Sequence, residues 1–234
     1  MWMYQLPELS KRYRLINIDQ RGHGRSVPAT GPYELRDMVE DAIAILDHLE
    51  IERAVWAGLS MGGMVAMHAA VDVPNRVSAL ILLDTHAGAE TRYKKLKYRA
   101  MSSGAKAFGV RPFFPAVLPL LFGRTTLIEN RALVDEWKRR FDEIHVQSLA
   151  RAVAALIRRP SIVGALANVQ TPALVIVGEE DASLPVPISQ EIVDALPNAS
   201  LAVIPGAGHL SALEKPEAVT DAMLRFLDEN HSQG

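Results

Sequence analysis

Strand-like and helix-like stretches alternate along these 234 residues, and the alternation predicts an α/β fold with a mostly parallel sheet and helices on both faces. Two further observations carry that prediction. Within the run Ser78–Asp84 the five residues 79–83 are continuously apolar, the pattern of a parallel strand covered on both sides. A serine at a glycine-flanked turn also joins an apolar run to a run of helix formers, the strand–turn–helix unit of such sheets.

Arg14–Asp19 reads as the first strand, followed by the glycine-punctuated loop Gln20–Ser26. Leu35, Met38, Val39, Ala42, Ile43, Leu46 and Leu49 recur at helical spacing, so 34–49 is an amphipathic helix. Arg53–Ala57 is the next strand, Met61–Val71 its helix, and Ser78–Asp84 the strand after that. From Gly88 to about Asn168 the strand signal stops. Leu127–Ile144 and Gln147–Arg158 look helical there, with Phe113–Pro115 and Leu118–Pro119 as breaks. Strand character resumes at Pro172–Gly178, followed by a helix at Pro187–Ala195, the strand Ser200–Ile204 and a closing helix over 218–227. The expected organisation is a discontinuous core, 1–87 and 165–234, with an all-helical insertion at 88–164.

Composition narrows the function. The chain is 49% hydrophobic, enough for one core plus a small lid. It has no cysteine, which excludes disulfides, thiolate nucleophiles and cysteine-bound metals and points to a reducing, cytoplasmic setting. No apolar run has membrane-spanning length, and Met1–Leu6 has no signal-peptide pattern, so no membrane partner is expected. A net charge of −2 argues against nucleic acid. The charge is uneven: 88–164 carries 15 Lys+Arg against 6 Asp+Glu, a net of +9, and the remainder has a net of −11. Arg139, Arg140, Arg158 and Arg159 are candidate contacts for an anionic small-molecule substrate.

Gly58-Leu59-Ser60-Met61-Gly62 is the G-x-S-x-G pattern, in which a sharp turn presents the central serine at the carboxyl edge of the sheet. Close approach of strand and helix demands small residues two positions to either side. The Met61 N–H opens the helix and points where an oxyanion would form. A serine hydroxyl needs a base, and the base an orienting acid. Of seven histidines, His209 follows a strand in the loop Gly206-Ala207-Gly208-His209 and is the expected base, with His23 its strongest rival and His86 a lesser one. Asp181, just past Gly178, gives the order serine, acid, histidine; Asp84 is the alternative acid, and Glu179 and Glu180 read as solvated turn residues. No cofactor and no metal is called for.

The blocks Asp19–Ser26, Gly58–Gly63, Val177–Asp181 and Gly206–His209, in that order, make the chain resemble the α/β-hydrolase superfamily nearly end to end. Among its branches the chain is most similar to 3-oxoadipate enol-lactone hydrolases and related small esterases. The resemblance implies a Ser60–His209–Asp181 triad, ester or lactone hydrolysis through an acyl-enzyme, and a helical cap at 88–164. It also implies that the Arg-Gly-His-Gly loop shapes the site floor, which demotes His23. A carbon–carbon bond hydrolase with the same triad, and a non-catalytic binding member or inert fragment of the fold, are the competing readings. The family's amino-terminal strands and the His-Gly loop with its second oxyanion donor have no counterpart in this sequence, and Met1–Ser10 resembles the helix that follows that loop. Expected consequences are that Leu15–Asp19 closes onto Ala54–Ala57 or leaves open edges, that the chain alone is poorly soluble and nearly inactive, and that the parent gene encodes those strands upstream.

Overall fold

The computed structural model describes residues 1–231. In chain order, α1 (Leu6–Leu9) and α2 (Leu35–His48) precede β1 (Ala54–Leu59), α3 (Met61–Asp72) and β2 (Val77–Leu83). Then come α4 (Arg92–Phe108), α5 (Phe114–Leu121), α6 (Arg124–Glu129), α7 (Arg131–Asp142), α8 (Val146–Arg158) and α9 (Val163–Leu166). β3 (Ala173–Gly178), α10 (Val186–Ala195), β4 (Ala199–Ile204), α11 (Ser211–Glu214) and α12 (Pro216–His231) complete the fold.

The four strands form one parallel sheet in the order β1-β2-β3-β4. Alternation along the central strands divides the core in two. Leu80 and Leu82 of β2 and Ala173 and Val175 of β3 pack with residues of α2, α3, α9 and α10. Ala79, Ile81 and Leu83 of β2 and Leu174 and Ile176 of β3 face the other way, toward Leu9 of α1 and Val219, Met223 and Phe226 of α12. Both faces of β2 and β3 are thus covered, and their near-continuous apolar sequences follow from that. The amino-terminal turn is pinned by Gln5, whose buried amide donates to the Ala212 carbonyl at 2.9 Å. No described helix is long and apolar enough to cross a membrane.

Several local expectations are corrected. Residues 14–20 form no ladder, so Leu15–Asp19 does not close onto β1, which pairs with β2 alone. Leu15, like Val55 and Leu59, lies against the second apolar cluster, while Asp19 is exposed and bonds within its own loop. Its carboxylate accepts from the Arg25 N–H at 3.0 Å and its carbonyl from the Ser26 hydroxyl at 2.5 Å, which spends its polar groups locally. Met1–Ser10 contains only the single turn α1. The stretch 127–144 is not one helix: Asn130 ends α6 and caps α7, its side chain accepting from the Leu133 N–H at 3.2 Å. Phe113–Pro115 does mark a boundary, where α5 begins with Pro115 in its first turn, but Pro119 is no break and lies inside α5.

Leu82, one residue before the end of β2, is fully buried. Leu82→Ala should lower stability by about 2–5 kcal/mol, read as a fall in the urea midpoint at unchanged slope. A midpoint within error of the parent would contradict this placement of the core.

Candidate active site

The elements converge where β1, β2, β3 and β4 end. At the end of β1 the chain reverses into α3 through Ser60, whose φ of 52° and ψ of −115° are unusual for a residue with a Cβ. Three hydrogen bonds hold it there. The Ser60 N–H donates to the Leu83 carbonyl at 2.8 Å, and the Ser60 carbonyl accepts from the Met64 N–H at 3.1 Å and the Thr85 hydroxyl at 2.7 Å. A Cβ on Gly58 would overlap the Gly62 carbonyl, so glycine is required before the turn. After the turn the tight position is Gly63 rather than Gly62. A Cβ on Gly63 would stand 2.7 Å from Thr85, whereas one on Gly62 would meet nothing closer than Gln20 Nε2 at 3.9 Å.

His209, between β4 and α11, reaches back to this turn. Its Nε2 lies 3.0 Å from Ser60 Oγ and its Nδ1 lies 2.8 Å from Asp181 Oδ2. An ionised carboxylate only accepts, so Nδ1 carries the proton and Nε2 is free to accept from the hydroxyl. Asp181 is buried, and its other oxygen accepts from the Ser183 and Leu184 N–H groups at 2.8 and 2.9 Å. Burial alone would depress the His209 imidazole, but the Asp181 hydrogen bond and charge, with Asp84 and Glu214, outweigh it and hold it above its ordinary value.

Asp84, the alternative acid, directly follows β2 with a φ of 45° and is fully buried. It bonds elsewhere, accepting from the Gly178 N–H at 2.8 Å and from the Ser211 hydroxyl. Burial pushes its carboxyl up to about 7, against the pull of His209, Ser211 and Gly178.

The other expected residues are placed as follows. Among the described hydrogen bonds none uses the Met61 N–H, which opens α3 beside Ser60. His23 lies 3.1 Å from the Arg21 carbonyl through Nδ1, in a loop that the Arg21–Asp41 pair fixes on α2. His86 lies 3.2 Å from Arg159 through Nδ1. Glu180 is not merely solvated: it accepts from the Thr125 N–H at 2.8 Å and hydroxyl at 2.7 Å, while Glu179 accepts from the Gly206 N–H at 3.1 Å. None of the four arginines is brought to Ser60 by its hydrogen bonds. Arg139 and Arg140 pair with Glu136 on the exposed side of α7. Arg158 donates to the Tyr33 carbonyl at 3.0 Å. Arg159 is buried against Glu90 at 3.0 Å, so its charge is already neutralised.

Sequence reasoning did not single out Thr85, Gly123 or Glu214. A Cβ on Gly208 would overlap the Gly123 N–H, and one on Gly178 would overlap the Gly208 carbonyl. The His209 loop is therefore interleaved between the end of β3 and the start of α6. In the sequence only the glycine at 208 hints at this contact.

The profile of the alpha/beta hydrolase family matches residues 1–222. The chain is 34% identical over 231 residues to BpoC of Mycobacterium tuberculosis, covering 95% of this chain and 86% of that protein, whose name assigns it provisionally to the non-heme bromoperoxidases. It is 27% identical to 3-oxoadipate enol-lactonase 2 of Acinetobacter baylyi, covering 95% and 82% of the two chains. A thermophilic esterase from Thermogutta terrifontis superposes with a TM-score of 0.93 at 29% identity, covering 98% of this chain and 85% of that one.

Two outcomes follow from the site's packing and charge. Gly208→Ala should remove most hydrolase activity, because its Cβ forces the His209 loop off Gly123; full activity in the folded variant would contradict the interleaving. Asp84→Asn keeps an acceptor for Gly178, gains a donor for Ser211 and suits a positive φ. The raised Asp84 carboxyl favours the fold while protonated, below the unfolded value of 3.8, and that contribution is lost as pH rises through about 7. Asp84→Asn should therefore gain stability over the parent progressively between those values. A pH-independent difference in denaturant midpoint would refute the assignment.

Proposed function

The chain belongs to the alpha/beta hydrolase family, and from that premise we propose that it is a serine hydrolase cleaving an ester or lactone of a small, carboxylate-bearing substrate. One observation carries the reading: the unbroken hydrogen-bond chain Ser60–His209–Asp181 at the carboxyl ends of the strands. In it Ser60 Oγ attacks the carbonyl carbon as its proton passes to His209 Nε2. Asp181 holds the Nδ1–H tautomer and stabilises the imidazolium. The Met61 N–H stabilises the developing oxyanion at the start of α3. His209 returns its proton to the leaving alkoxide, leaving an acyl-Ser60, and a water activated by the same imidazole releases the acid.

The preference for an anion is supported by the net charge of +9 over 88–164 and by the likeness to proteins named enol-lactonases. Arg158 and Arg159 are committed to protein partners, so in this reading the insertion acts through its potential rather than through those two side chains. We read 88–164 as the lid over the site.

Ser60→Ala should lower turnover of an aryl ester by about 10⁴–10⁶-fold in a folded protein, and retention of more than a few per cent would refute the nucleophile. Asp181→Asn should lower kcat far more than Asp84→Asn; the reverse ranking would transfer the acid role to the end of β2. Only neutral imidazole accepts the serine proton, so kcat/KM should rise with pH on a limb above the ordinary histidine value. A rate independent of pH there would contradict His209 as base. A carboxylate-bearing lactone should be preferred over its methyl ester, less so in high salt; no preference would dismiss the anionic substrate.

A further inference from the structure

We propose that Glu214 is a positioning residue for the base: its carboxylate ties the His209 loop to the helical insertion and so fixes the imidazole against Ser60. The inference rests on the reading of His209 as base. Glu214 Oε1 accepts from the N–H of Gly208 at 3.0 Å and of Leu210 at 3.1 Å, the residues on either side of His209. Its Oε2 accepts from the Gly123 N–H at 2.8 Å, where the insertion enters α6. The Leu210 N–H is shared with the Leu121 carbonyl at 3.0 Å, so the two segments are joined twice at one point.

A single buried carboxylate therefore fixes the backbone before and after the base and ties both to the insertion. The direct contact between Gly208 and Gly123 leaves the loop no room to settle elsewhere. Small losses of alignment matter at such a site, since a displacement of about 1 Å can cost about 10²-fold in rate. The charge contributes too. The carboxylates facing His209 are Asp181 from the loop after β3, Asp84 from the end of β2 and Glu214 from α11, and all three favour the imidazolium.

Glu214→Gln keeps the shape but replaces one acceptor oxygen with an amide NH2, which must face either Gly123 N–H or the Gly208 and Leu210 N–H pair. Its kcat should fall about 10–100-fold with KM little changed. The His209 ring, followed by NMR in the free protein, should titrate at lower pH than in the parent. A role confined to stability would lower the melting temperature and leave both readouts alone. Wild-type kcat with an unmoved His209 midpoint overturns the proposal. If Glu214→Gln does not fold, Glu214→Asp decides the matter: it keeps the charge but retracts it, so kcat should fall while the midpoint holds, and wild-type kcat overturns the proposal. The titration needs no substrate, so the two readings fail separately. A fully active Ser60→Ala protein sinks the hydrolase, and an unmoved midpoint with wild-type kcat sinks the role of Glu214.

Discussion

The hydrogen bond from His209 Nδ1 to Asp181 decides which ring nitrogen faces Ser60, and the parts of the site are arranged to keep that bond in place. Asp181 cannot turn away, because its second oxygen is held by two backbone N–H groups of its own loop. His209 cannot drift, because its loop is interleaved with Gly178 and Gly123. Ser60 meets it only because the strained turn after β1 is bonded to the end of β2. Four parallel strands ending at one edge bring these loops together, and the two apolar layers on either side of the sheet hold the strands in register.

Asp84 and Asp181 show how environment separates two carboxylates that sequence position leaves alike. Both follow strands and both are buried. Asp181 accepts from two backbone N–H groups and from the histidine. Asp84 has one backbone donor and one hydroxyl, and burial raises its carboxyl toward neutrality. At the end of β2 it links the sheet to Ser211 in α11, beside the His209 loop.

The parallel strands and the elbow were legible because each rests on local chemistry: an apolar run, a helix start, a glycine that a neighbouring backbone requires. Ser60, Asp181 and His209 came together as their places after strands implied. What was not legible depended on partners distant in sequence. Arg14–Asp19 has strand composition, yet it forms no ladder, and Asp19 bonds within its own loop. Arg158 and Arg159 looked like free cations until Tyr33 and Glu90 came alongside. Glu214 lies five residues after His209 and reads as an ordinary helix residue, because its partner Gly123 is 91 positions away.

The central claim is that Ser60 forms a covalent acyl intermediate. Rapid acid quench of the protein turning over an aryl ester, followed by peptide mass spectrometry, tests it most directly. The account predicts an acyl adduct on the peptide containing Ser60, forming in a burst before steady state and absent from Ser60→Ala. Turnover that leaves Ser60 unmodified at every quench time, or an adduct carried by another residue, would contradict it.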